Sequence, residues 1–177
     1  MGLYDEIAGA AATLQSRYVT PGTYVGSVND WKEGITRKGD DFVVLEMTVL
    51  ASDNHEEHPV GSAMSWMVML KHDSAPGNIK RAIMEIVALQ EEGQVTPALC
   101  KAVLSANEDA ERGEVGVSPT AGTIIDVVAT NTKTRAGNDF TRVTFRYRDP
   151  DRAVVPLEHR PRHASEGDDG LADAVPF

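Results

Sequence analysis

Between Thr23 and Arg148 the hydrophobic pattern changes its period twice, and this restricts the architecture more than any other feature of the chain. Three segments come first that alternate or are rich in β-branched residues: Thr23 to Trp31, Phe42 to Leu50 and Ala63 to Leu70. A period of two puts successive side chains on opposite faces of a strand. Loops bearing charge and glycine, 32–41 and 52–61, separate these strands, and Pro21-Gly22 is the turn that opens the series. The period then lengthens. Ile79, Ile83, Ile86 and Val87 fall at i, i+4, i+7 and i+8, the apolar stripe of an amphipathic helix. Ser74 stands where an N-cap belongs, Pro76 fits the first turn, and Gly93 is the expected stop. Thr96-Pro97 opens a second helix through Leu99, Val103 and Leu104, and the polar run Asn107 to Gly116 is an exposed connection. Period two returns over Gly122 to Thr132 and Phe140 to Arg148, joined by a hairpin turn containing Ala136-Gly137-Asn138. In the last strand Thr141, Val143, Phe145 and Tyr147 face one way, and Arg142, Thr144, Arg146 and Arg148 the other.

Three strands, a helical insertion and two more strands predict a mainly β protein. The arrangement is that of a five-stranded OB-fold barrel with its helical insertion between strands 3 and 4. The same elements also suit other small β-barrels or an α+β sandwich. Residues 1–20 read as an N-terminal helix or arm, with Leu3, Ile7, Ala11 and Leu14 at helical spacing, and residues 21–148 as the barrel. From Asp149 to Phe177 periodicity is lost among Pro, Gly and charge, which predicts a disordered acidic C-terminal tail.

Composition narrows the function classes. A hydrophobic content of 41% fits a packed core. With one cysteine, Cys100, neither an intrachain disulfide nor a cysteine zinc cluster is open to the chain. Cys100 itself reads as a small apolar helix residue. No apolar run approaches the ~20 residues of a membrane span, and Asp5 and Glu6 stand where a secretion signal would be positive. The expectation is a soluble cytoplasmic protein. A net charge of −10 at first opposes a polyanionic ligand, but the charge is uneven. From Asp149 onward there are 3 basic and 7 acidic side chains, whereas Lys133 to Arg148 holds Lys133, Arg135, Arg142, Arg146 and Arg148 against one acid, Asp139.

The last dozen residues are the most specific signal. They run Glu166-Gly167-Asp168-Asp169-Gly170-Leu171-Ala172-Asp173-Ala174-Val175-Pro176-Phe177. This resembles the acidic tail of bacterial and phage single-stranded DNA-binding proteins, in which aspartates precede a hydrophobic-Pro-Phe or a lone Phe. The aspartates here are dispersed, and Ala174-Val175 stands in place of an acid-Ile pair. The resemblance implies that Asp168, Asp169, Asp173, Pro176 and Phe177 address replication or recombination proteins. A terminal ring and carboxylate suit an apolar pocket beside a cation. It also implies single-stranded DNA as the ligand, a role in replication, recombination or repair, and a bacterial cell or phage-infected host as the setting.

OB-folds carry oligonucleotides across strands 2 and 3, between the loops joining strands 1 to 2 and 4 to 5. On that frame the first loop supplies Trp31, Lys32, Arg37 and Lys38, and strand 3 supplies Trp66 and Lys71. The other loop supplies Lys133, Arg135 and Phe140, and strand 5 supplies Arg142, Arg146 and Arg148. Rings beside cations are what an unpaired strand needs, the rings for bases and the cations for phosphates. Trp31, bordering a charged loop, is expected to be exposed. Trp66 sits among methionines and reads first as core, and the alternating arginines also fit a plain solvated face. His55-Glu56-Glu57-His58 has the residue types of a metal site but lies in a polar loop without fixed register, so no metal and no cofactor are expected. No nucleophile motif or phosphate loop stands out, so no enzyme is expected. A protein-interaction or structural β-barrel module is the alternative from another class, and an RNA-binding OB module a third. Edge strands or the N-terminal segment offer a route to a homo-oligomer.

Overall fold

The computed structural model describes residues 17–104, 118–133, 137–151, 153, 154, 156 and 157. The predicted N-terminal helix or arm therefore lies almost wholly outside the described residues, as do the connection Asn107 to Gly116 and the acidic stretch from Glu158 onward. The described chain is mainly β. One curled, six-stranded sheet forms a half-barrel that packs on two helices.

The strands are β1 (Arg17–Tyr18), β2 (Gly22–Ile35), β3 (Asp41–Ser52), β4 (Ala63–Met69), β5 (Ile124–Lys133) and β6 (Asp139–Tyr147). Helices α1 (Ala75–Ile86) and α2 (Pro97–Leu104) lie between β4 and β5, where the change of period put them. The order across the sheet is β1-β4-β3-β2-β5-β6. The short β1, which the sequence did not reveal, runs parallel to β4, with Arg17 beside Met64 and Tyr18 beside Ser65. All other pairings are antiparallel.

Alternation decides which faces pack. On β3, Val43, Leu45, Met47, Val49 and Ala51 all point inward and are 0–2% exposed. Ile125, Val127 and Ala129 do the same on β5, and Val143 and Phe145 on β6. β2 breaks the rule. Its register shifts between Val25 and Gly26 and again between Val28 and Asp30. Such a bulge inserts one residue, bends the strand and resets which side chains face in. Val28 and Trp31, three residues apart, are both buried as a result. The strand also continues to Ile35, through four residues that read as loop.

Helix α1 buries Ala75, Ile79, Ala82, Ile83 and Ile86, one stripe at helical spacing. Ser74 occupies the N-cap position but makes no capping bond, and Pro76 lies in the first turn. The helix stops well before Gly93. Ala88 takes a left-handed φ of 56°, while its N–H donates to Glu85 O at 3.4 Å and Leu89 N–H donates to Met84 O at 2.9 Å. This pair of bonds is the Schellman ending, usually built on glycine and here built on alanine. Helix α2 starts as expected, with Leu99 N–H donating to Thr96 Oγ1 at 3.2 Å.

The largest buried side chains are Trp31 and Tyr24, both 0% exposed. The Tyr24 hydroxyl donates to the Thr20 carbonyl at 2.8 Å, and burial raises its pKa. His58 stands edge-on to Tyr24 with ring centroids 5.3 Å apart. It is fully buried, and neither ring nitrogen has a partner with hydrogen-bonding geometry. The apparent metal motif is thus pulled apart: His58 belongs to the core, while the exposed His55 meets the Leu157 carbonyl at 3.3 Å. That contact also shows that the chain after Asp149, expected to lack structure, packs back on the body as far as Leu157. Among the described residues no helix is long and apolar enough to cross a membrane.

Two outcomes follow for stability. Glycine relieves the left-handed strain at Ala88, so Ala88→Gly is expected to stabilise the fold by about 0.5–1 kcal/mol in chemical denaturation, and a loss of stability would contradict this reading of the helix end. Desolvation lowers the pKa of His58, while Glu57 and the Tyr18 backbone pull the other way more weakly. Its folded value therefore lies below the unfolded value of about 6.5. Stability from this residue is complete above about pH 6.5 and declines as the pH falls from there towards the folded pKa. His58→Leu is expected to flatten that acid-side decline. Denaturation midpoints at pH 7.5 and 5.5 measure it, and an unchanged slope would remove His58 as the cause.

Candidate nucleic-acid interface

The sheet order leaves β4 and β6 as its two sides across an opening, with no ladder between them among the described residues. Among the described residues β1 pairs with β4 only at Met64 and Ser65, and no strand pairs with the edge from Trp66 to Met69. Helix α1 lies along this opening. Three rings span it beneath: Trp31 meets Trp66 at 6.5 Å and 80°, and Trp66 meets Phe145 at 5.1 Å and 74°. Edge-to-face pairs of this kind contribute about 0.5–1.5 kcal/mol each beyond burial.

The opening forms a groove of about 770 Å³ between β4, α1 and β6. Trp66 is half-buried in its wall and Phe140, at 45% exposure, stands on the β6 side. Arg142 lines it from β6, and Arg81 and Glu85 from α1. None of these three charged groups takes part in an ion pair among the described residues. The groove thus combines two rings that are not fully buried, Trp66 and Phe140, with two guanidinium groups and two strand edges, the components with which proteins hold an extended polymer.

The groove gathers three of the residues singled out from the sequence: Trp66, Phe140 and Arg142. The others are placed elsewhere. Trp31 is not exposed. The bulge before it turns its ring into the core, where Nε1–H donates to Thr120 Oγ1 at 3.2 Å, so it offers no surface to a base. Lys32 is paired with Glu46 at 2.7 Å and Lys71 with Asp40 at 2.9 Å, which partly neutralises both. Arg37 and Lys38 are exposed on the β2–β3 turn. Lys133 is exposed at the end of β5, in register with Asp139. Arg146 is exposed on the same face of β6 as Arg142 but does not line the groove, and it is in register with Asp126. Arg148 is a clamp rather than a ligand residue: its guanidinium pairs with Asp126 and donates to the Ala153 carbonyl at 3.0 Å, and only 12% of its side chain is exposed. Arg135 and the tail residues Asp168, Asp169, Asp173, Pro176 and Phe177 lie outside the described residues.

Sequence reasoning missed Arg81, Asn78 and Glu85. They share one face of α1, beside the apolar stripe, at i, i+3 and i+7. That spacing was visible, but only the placement of α1 along the β4–β6 opening gives it meaning. Among the described residues no group of three or more His, Cys, Asp or Glu is placed to hold a metal ion. No protein-family model matches the chain, and no curated protein is similar to it.

Proposed function

We propose that this chain is a single-stranded DNA-binding protein, with an OB-type body that holds the strand and an acidic segment that addresses partner proteins in replication, recombination or repair. The observation that carries the reading is the groove in which Trp66 and Phe140 stand beside Arg81 and Arg142. Rings stack bases for about 1–3 kcal/mol each regardless of sequence, and guanidinium groups track phosphates. The strand order gives further support. Without β1, the sequence β4-β3-β2-β5-β6 with helices between β4 and β5 is the order of an OB barrel left open between its third and fifth strands. The run from Glu166 to Phe177 supports the partner-addressing half, since clustered acids attract basic proteins over long range.

A second reading has one observation in its favour. The edges of β6 and of β4 beyond Ser65, unpaired among the described residues, are also a template for an added peptide strand. The two readings part in a single titration.

Tryptophan emission is expected to fall as oligo-dT is added, and the change to come from Trp66, because Trp31 is sealed from solvent. Trp66→Phe should abolish the response. No response from a folded protein would remove DNA from the groove and leave the peptide reading. Replacing Arg142 with Ala is expected to weaken binding several-fold and to lower the salt slope by about 0.7. Arg146→Ala, at a residue that does not line the groove, should change neither by as much, and equal effects would mean that the strand lies outside the groove. Removing residues 168–177 is expected to leave affinity for oligo-dT unchanged or tighter. Loss of binding on that truncation would contradict a division between a binding body and a partner-addressing segment.

A further inference from the structure

The proposed role explains why two arginines and two rings line the groove, but it gives no place to Glu85. This carboxylate is half-buried in the wall of a site meant for a polyanion. It is an acceptor only and repels phosphate, so any favourable partner must be a donor. Arg81 precedes it by one helical turn, a spacing at which the two side chains are able to neutralise each other. The ion pairs among the described residues do not include that pairing. Asn78 completes the stripe one turn earlier.

We infer that this face of α1 reads guanine in the bound strand, an inference that rests on the groove being a single-strand site. An unpaired base exposes its full hydrogen-bonding edge to side chains. Guanine has two adjacent donors, N1–H and the N2 amino group, which together match the two oxygens of one carboxylate. Its O6 and N7 are acceptors that suit a guanidinium or an amide nitrogen. Glu85 takes the donor end, and Arg81 or Asn78 the acceptor end. Cβ atoms one helical turn apart are separated by about 5–6 Å, which is the scale of one base. Thymine offers a single donor flanked by two carbonyl oxygens, which a carboxylate repels. Trp66 and Phe140, on the other walls, supply the stacking that holds the base in place. The phosphates are left to Arg142, on the β6 side of the groove.

The experiment compares labelled twelve-nucleotide strands by fluorescence anisotropy: all thymine, thymine with one central guanine, and thymine with hypoxanthine at that position. One guanine is expected to tighten binding at least about fivefold, the lower end for a bidentate contact. Hypoxanthine keeps O6 and N1–H but lacks the N2 amino group, so it should lose most of that gain without any change to the protein. Glu85→Gln should level the guanine and thymine strands while all-thymine affinity holds or rises. Equal binding of all three strands to the unaltered protein would overturn this inference and leave the groove reading standing. Failure of every strand to bind would overturn both.

Discussion

The ladder missing between β4 and β6 governs the rest of the molecule. Bare strand edges invite pairing with other chains, and soluble proteins blunt them. Here β1 pairs with Met64 and Ser65 of the β4 edge and α1 lies along the opening, while Trp66 joins Trp31 to Phe145 beneath it. Backbone hydrogen bonds are thus replaced by ring contacts and by the burial of Ile79, Ile83 and Ile86. Because ring contacts impose no ladder geometry, the two walls stay apart and a groove survives between them. A fully paired barrel of the same residues would have a core but no groove.

The electrostatics make sense on the same frame. An excess of ten negative charges would repel a polyanion from most of the surface. Lys32, Lys71 and Arg148 are each held by a carboxylate from a neighbouring strand or turn. The exposed pairs of Lys32 and Lys71 are worth little in stability, but like the more buried Arg148 pair they lower the positive potential around them. Arg81 and Arg142 both line the groove and take part in no ion pair among the described residues. Among the described residues the groove therefore places two guanidinium groups outside any ion pair next to the rings of Trp66 and Phe140.

Much of this was legible in local pattern, and the misses have a common cause. Five strands and two helices appear where the period changes, because inward and outward faces are written into β3, β5 and β6 residue by residue. Trp31 was misread because alternation holds only until a bulge, and the bulge between Val28 and Asp30 depends on pairing with β3 rather than on its own residues. The end of α1 was misread because the chain accepts a left-handed alanine, where glycine is the usual signal. Arg148 shares its strand face with Arg142 and Arg146, and only the nearness of Asp126 separates the clamp from the candidate ligand residues. The groove itself is non-local: no pattern within α1 states which strands it will lie between.

The helical insertion, which looks excessive for a small barrel, has a part on each side of the platform. Helix α1 is the outer wall. Helix α2 acts from within: the Val103 carbonyl accepts from Ser118 Oγ at 3.5 Å, Ser118 shares a hydrogen bond with Thr120 at 2.9 Å, and Thr120 accepts from the Trp31 indole at 3.2 Å. Trp31 in turn stands edge-on to Trp66. A buried polar chain of this kind is costly to break, because each lost partner leaves a desolvated group behind. The insertion therefore anchors Trp31, the ring against which Trp66 packs in the groove wall. Side chains ordered in advance lose less entropy when a site is occupied, which is the physical advantage of building a groove wall on a hydrogen-bonded core.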